Sequence, residues 1–441
     1  MTRKMRQLLV TLVLIGWGGW AAGCADDSDG NASRAESSAN SGPIGEDSAD
    51  NGEVVTEHGG EDPTDHGETP DSADEEWASD SDEGGEGSGD EAPQTPEQKP
   101  GQLTAGEWSD LENWTFWQGL FGEQSQDEVG QYKTQWGINP ENRFAVRVLV
   151  GEAAVVDAPV KLMTGEQVIW EARTDNRGRA ELYDGLFGEA LADGYSLEVN
   201  TSGASTRVDI EGPTGGERLD IVVEQAQGPA HVLDLMFVVD TTGSMSDELS
   251  YIQAELRNVI QAVNHTGDES LSLRLSVNFY RDDGDDYVVR PFPFTSDIEQ
   301  VLDDLQVQTV DGGGDFPEAV DQALLDAIDA HQWSEEATAR LLFLVLDAPP
   351  HQNQQVLDSL RGVTTRAAQK GVRIIPVVAS GIDKPTEFLM RLLSIATGGT
   401  YVFLTDDSGI GNSHLEPTIG DYEVEYLNDL IVRLISEYTA R

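Results

Sequence analysis

The sequence predicts an α/β protein: a doubly wound, mostly parallel sheet over residues 228–441, preceded by a smaller β-sandwich over 140–226 and a disordered acidic linker. Three observations predict it. From about Gly228, short apolar runs of strand type alternate with segments whose apolar residues recur every three to four positions. That pattern means a parallel sheet covered by helices on both faces. Between 140 and 226 the apolar period drops to two, and turn residues recur every few positions. Between 25 and 101 aliphatic residues almost vanish, and such a chain cannot bury enough apolar area to offset its entropy.

The N-terminus is basic (Arg3, Lys4, Arg6), and the uncharged run LLVTLVLIGWGGW follows, ending in Ala21-Ala22-Gly23 before Cys24. The run is too short for a comfortable membrane span. It resembles a bacterial lipoprotein signal over residues 1–24, with Ala21 where Leu is commoner. The resemblance implies that Cys24 carries lipid. The expected localisation is then the cell envelope, with the protein lipid-anchored at the outer membrane or cell surface. Cys24 is the one cysteine, so an intramolecular disulfide is excluded.

Residues 25–101 are dominated by Ser, Gly, Asp, Glu and Pro, as in DSADEEWASDSDEGGEGSGDE. Like charges push such a segment outward, so it reads as a tether. The formal net charge of −54 argues against nucleic acid as a partner, because phosphates are repelled. Aromatics return in LTAGEWSDLENWTFWQGLF, where Leu111, Trp114, Trp117 and Leu120 recur at three-residue spacing. This predicts a Trp-rich helical flap over 102–139, packed on the next domain.

In RFAVRVLV, Phe144, Val146, Val148 and Val150 share one face, and six further short runs follow. About seven strands in this span predict a β-sandwich. WEARTDNRGRAEL resembles the carboxypeptidase-regulatory-like modules of bacterial surface proteins, which implies a structural or adhesive role.

Beyond Gly228, HVLDLMFVVD is a buried-strand run, and Leu249, Ile252, Leu256, Val259 and Val263 form the stripe of a helix. LSLRLSVNFYRD and YVVRPFPF read as strands and FPEAVDQALLDAI as a helix with Pro317 in its first turn. RLLFLVLDA, VRIIPVVAS and TYVFLT read as strands; VLDSLRGVTTRAAQK, EFLMRLLSIA and EVEYLNDLIVRLI read as helices.

In open sheets of this kind ligands bind beyond the carboxyl ends of the strands. Asp240 ends the first strand of the domain, with Thr242 and Ser244 just after it; Asp347 ends another strand, and the loop GGGDFPEAV brings Asp315 and Glu318. All are hard oxygen donors, suited to Mg²⁺, Ca²⁺ or Mn²⁺ rather than Zn²⁺. Plainer readings exist: Asp240 as a strand-end turn residue, Asp315 as a helix cap, and Asp247 and Glu248 as acids in a first helical turn.

The run Asp240-Thr241-Thr242-Gly243-Ser244 resembles the D-x-[ST]-x-S signature of von Willebrand factor A domains and their metal-ion-dependent adhesion site. GGGDFPEA and LVLDAPPH are closer to the variant of that domain found in integrin β polypeptides. The resemblance implies a central metal site of Asp240, Thr242, Ser244, Glu318 and Asp347. It implies an adjacent site at Asp247 and Glu248, and a third at Asp282, Asp315 and Glu318, with Gly313 in place of the Asn of the integrin loop.

The expected function is non-enzymatic: capture of a protein ligand whose acidic side chain completes the coordination of a Mg²⁺ ion (or Ca²⁺ or Mn²⁺), at a membrane held through the N-terminal lipid. A calcium-stiffened envelope scaffold and a metal-dependent hydrolase are the alternatives. The hydrolase needs a base beside the ion, and His351 is the candidate imidazole. GGGD lacks the Lys of a phosphate-binding loop.

Overall fold

The computed structural model describes residues 98–121, 126–190, 194–201, 203–266, 271–314 and 316–440. The expected signal with Cys24, the acidic tether up to residue 97, and Asp315 lie outside the described residues.

In chain order the elements are β1 (Thr104–Trp108), α1 (Trp114–Gly119), α2 (Gln126–Trp136), β2 (Arg143–Val150), β3 (Ala153–Ala154), β4 (Pro159–Thr164), β5 (Gln167–Arg173), β6 (Arg179–Tyr183), β7 (Tyr195–Thr201), β8 (Ala204–Ile210) and β9 (Leu219–Val222). There follow β10 (Val232–Asp240), α3 (Leu249–Thr266), β11 (Ser272–Tyr280), β12 (Val289–Arg290), α4 (Ile298–Gln306), α5 (Val320–Leu325), β13 (Ala339–Leu346), α6 (Gln354–Lys370), β14 (Val372–Val378), α7 (Lys384–Thr397), β15 (Tyr401–Leu404), β16 (Val424–Tyr426) and α8 (Leu427–Thr439).

The main sheet has eight strands in the order β12-β11-β10-β13-β14-β15-β1-β16. The five strands β11-β10-β13-β14-β15 run parallel, and the antiparallel strands lie outside them. Alternation along β10 serves both faces. Leu235, Phe237 and Val239 pack with α3, α4 and α8, whereas Met236 and Val238 join the core that also holds α5, α6 and α7. The predicted stripe Leu249, Ile252, Leu256, Val259 and Val263 is buried on α3. Helix ends follow local chemistry. Asn353 and Asp383 cap α6 and α7 through the Val356 and Thr386 N–H groups, and Gly371 and Gly398 end the same helices at positive φ.

Between β1 and β10 the chain makes two four-stranded sheets, one of β3-β2-β6 with β9 beside β2, the other β5-β4-β7-β8. Phe144, Val146, Leu162, Trp170, Leu182 and Leu197 are buried in one shared core, and Phe144 meets Tyr195 at 4.8 Å between ring centroids. There are eight strands rather than seven; the two-residue β3 is too short to leave a periodic signal.

Four expectations need correction. Residues 104–108 are not part of a helical flap; they enter the main sheet antiparallel between β15 and β16. Trp117 then stacks on Phe388 of α7, so the aromatic segment packs largely on the C-terminal domain. The strand expected over YVVRPFPF shrinks to β12, because Pro291 and Pro293 have no N–H to continue a ladder. Pro317 precedes its helix: the Glu318 N–H donates to Pro349 O in a parallel bridge, which holds 318 extended until Val320. The first residues of EVEYLNDLIVRLI form β16 rather than helix, since β1 supplies an antiparallel partner. Helix α4 gave no expectation of its own; Asp297 caps it through the Gln300 N–H.

β1 is also held from outside the sheet. The N–H groups of Gly101, Gln102 and Leu103 all donate to the carboxylate of Glu255 on α3, at 2.7, 2.8 and 3.1 Å. Glu255 is fully buried. Among the described residues, no helix is long and apolar enough to cross a membrane.

Candidate metal centre

The site lies where β10, β11 and β13 end. β10 stops at Asp240, and the next residues turn at once. Asp240 Oδ1 accepts from the Thr242 N–H at 2.9 Å and from the Thr242 hydroxyl at 2.7 Å, and Thr242 Oγ1 lies 3.1 Å from Ser244 Oγ. The second carboxylate oxygen, Asp240 Oδ2, takes no part in this ring. A second loop is fastened to the first through Gly243 N–H to Gly312 O (3.1 Å) and Asp311 N–H to Thr241 O (3.1 Å). Gly313, at φ +64, stands between the two: a Cβ there would lie 3.0 Å from Glu318 Oε1 and 3.2 Å from the Thr242 Cβ. Only a glycine lets the acid and the hydroxyl loop approach this closely.

Asp240, Glu318 and Asp347 are buried, and each keeps one carboxylate oxygen without a hydrogen-bond partner: Asp240 Oδ2, Glu318 Oε2 and Asp347 Oδ1. Their electrostatics agree. Burial pushes Glu318 up to about 9, with Asp240, Asp282, Asp347 and Asp285 adding repulsion. Asp347 is raised by burial and then by Asp240, against a hydrogen bond from Ser244. Asp240 is raised by burial, although Thr242 works the other way. Asp240 thus contributes to the raised proton affinity of both Glu318 and Asp347, as nearby like charges do.

The structure thus brings together Asp240, Thr242, Ser244, Glu318 and Asp347. Among the described residues, no three His, Cys, Asp or Glu side chains form a ready-made cage for an ion. The set is instead mixed, with hydroxyls standing between the acids. Orphaned, buried carboxylate oxygens beside neutral hydroxyls are hard donors of the kind that suits a divalent cation.

The expected secondary residues are placed differently. Asp247 Oδ2 accepts from the Asn412 backbone and side-chain nitrogens at 2.8 and 2.7 Å, while its Oδ1 is buried without a partner. Glu248 Oε1 lies 3.0 Å from His414 Nε2, and Gly411 packs against the same carboxylate. The loop Ser408–Gly420 therefore covers this pair. Asp282 is 2.7 Å from His351 Nε2, which ties up the imidazole. Asp285, not singled out from sequence, accepts from the Asp282 and Gly313 N–H groups and shapes the second loop. The acid-rich turn RDDGDDY was the available signal. Tyr280, also missed, ends β11 directly beside Asp240.

Residues 234–409 match the family model of the von Willebrand factor A domain. A stretch of 189 residues is 28% identical to the putative ariadne-like RING finger protein R811 of Acanthamoeba polyphaga mimivirus, covering 39% of this chain and 18% of that protein. The chain thus spans less than a fifth of that relative's length. β1, β16 and α8 fall outside the matched residues. With five parallel strands flanked by helices and a match that runs from β10 past β15, residues 234–409 are a von Willebrand factor A domain.

Proposed function

We propose that this chain is a cell-envelope lipoprotein that captures a protein ligand through a divalent metal ion in its von Willebrand factor A domain, without enzymatic activity. The domain itself points to protein–protein interaction or adhesion in general. The observation that carries the metal-dependent reading is the trio of buried, partnerless oxygens Asp240 Oδ2 and Asp347 Oδ1, at the carboxyl ends of β10 and β13, and Glu318 Oε2, in the loop before α5. Mg²⁺, Ca²⁺ or Mn²⁺ fits this donor set. Bound there, the ion supplies residual positive charge that an acidic side chain of the ligand can meet.

In this reading Thr242 and Ser244 contribute neutral oxygens, so that a cation is held without a full cage of negative charge. Gly313 keeps the second loop close enough for Glu318 to take part. The two four-stranded sheets act as a β-sandwich of carboxypeptidase-regulatory-like type, inserted between β1 and β10 of the sheet that carries the site. Cys24 carries the lipid that fixes the tether to the membrane.

Calorimetric titration of the full chain with Mg²⁺ tests the site. Asp240→Ala should abolish binding and leave the circular dichroism largely intact. Equal affinity in that variant and the parent would remove these residues from the metal site. An EDTA-sensitive pulldown from envelope extract that Asp240→Ala also abolishes tests the ligand.

A further inference from the structure

Tyr280 is a residue that the proposed site does not yet use. It is the last residue of β11 and stands in register beside Asp240 of the neighbouring parallel strand. Neighbours in register send their side chains to the same face of a sheet. Tyr280 accordingly shares a core with Met236 and Val238 of β10 and Val320 of α5, the helix that Glu318 leads into. The side chain is fully buried, yet its hydroxyl has no hydrogen-bond partner.

That is an odd choice for a core position, since a phenylalanine would fill the same space without burying an unsatisfied O–H. The surroundings give the reason. Burial raises the Tyr280 pKa, and the charges of Asp240, Asp347 and Glu318 raise it further, so the phenol stays protonated among three acids. The carboxylates offer only acceptors when ionised, and the Tyr280 O–H is a donor set against them. It lies near enough to Asp240 to favour the charged form of that acid, though not in well-formed hydrogen-bond geometry.

We propose that Tyr280 is a positioning residue of the metal site: its hydroxyl donates to the Asp240 carboxylate when a divalent cation is held, fixing that carboxylate toward the ion. The inference rests on the metal-binding reading above. Groups hydrogen-bonded to a metal's ligands typically account for about 10–100-fold in metal affinity. Tyr280→Phe keeps the ring and its packing and removes only the donor.

The test titrates the full-length protein with Mg²⁺, comparing the parent, Tyr280→Phe and Asp240→Ala by calorimetry and by the tyrosine difference spectrum in the near ultraviolet. The expected result is affinity about tenfold weaker in Tyr280→Phe, with an unchanged or higher melting temperature in EDTA. A Mg²⁺-dependent tyrosine band should appear in the parent and vanish in the variant. Parental affinity and an unchanged band in Tyr280→Phe overturn the inference and leave the metal site standing. Weaker affinity accompanied by a lower melting temperature in EDTA also overturns it, since the role would then be structural. No Mg²⁺ binding by the parent removes the metal reading and this inference together.

Discussion

Replacing Asp157 measures how firmly the two small sheets are fixed to the strand that carries Asp347. Asp157 lies just before β4 and is the one described non-glycine residue at positive φ, +59. Its Oδ1 accepts from Arg173 Nε at 2.6 Å and Arg340 Nη1 at 2.7 Å; its Oδ2 accepts from Arg340 Nη2 at 2.9 Å and the Ala337 N–H at 3.0 Å. Arg340 is the second residue of β13, and its side chain is 3% exposed, against 10% for Asp157. Removing one partner of a buried ion pair costs about 3–5 kcal/mol, because the other charge is left buried. Arg340 keeps bonds to the Ser334 and Glu335 carbonyls, which places the loss near the lower end, about 3 kcal/mol. Asp157→Ala adds about 1 kcal/mol of left-handed backbone strain. Asp157→Gly omits that strain, so the gap between the two variants isolates the backbone contribution.

The pH dependence has a definite sign. Burial alone would raise the Asp157 pKa, but the bonds from Arg340 and Arg173 outweigh it and hold the group below the ordinary aspartate range. A depressed carboxyl contributes stability that is present above the unfolded-state pKa and lost as pH falls through the folded-state value. The parent and Asp157→Ala should therefore differ by a constant amount above about pH 5 and converge below about pH 4. Urea unfolding followed by tryptophan fluorescence reads both quantities. With a urea slope of about 1–3 kcal/mol per molar, the expected loss moves the midpoint by about 1 M or more. A difference under about 1 kcal/mol at pH 7, or one that widens in acid, would refute the argument.

Two further outcomes are expected. A saturating divalent cation should raise the melting temperature and EDTA should reverse the gain; at one hundred times Kd the stabilisation is about 2.7 kcal/mol. Because burial and mutual repulsion raise the pKa values of Asp240, Glu318 and Asp347, protons compete with the ion, so the gain should shrink from pH 8 to pH 5. An equal gain at both pH values, measured by differential scanning fluorimetry, counts against ionised carboxylates as ligands. Separately, Glu255→Gln removes the charge that receives three backbone N–H groups and should speed hydrogen exchange at Gly101–Leu103 by at least tenfold, with a loss of about 1.5–3 kcal/mol. Unaltered exchange there would mean that β1 is held by its strand partners alone.

Much of the α/β pattern was legible because its signals are local. A buried parallel strand such as β10 reads as an unbroken apolar run ending in Asp240, and α3 shows its stripe at helical spacing whatever surrounds it. The placing of Asp240, Thr242, Ser244 and Asp347 at one edge was also legible, because the ends of parallel strands fall on one edge of the sheet wherever the chain goes between them; Glu318 reaches it from the loop before α5. Their partnerless oxygens and mutual electrostatics were not, since these depend on distances across loops.

What the sequence by itself determined, then, was the alternation of strands and helices and the set of oxygen-bearing residues at one sheet edge. Tertiary structure decided which strand lies beside which. β1 has no periodicity that marks it for a sheet more than one hundred residues downstream; only the gap between β15 and β16 and the carboxylate of Glu255 place it there. It also decided that the loop Ser408–Gly420 covers Asp247 and Glu248, and that Tyr280 faces Asp240. Pairing across long sequence separations is set by the packing of the whole core and by the satisfaction of buried polar groups, and neither leaves a trace in a short window of residues.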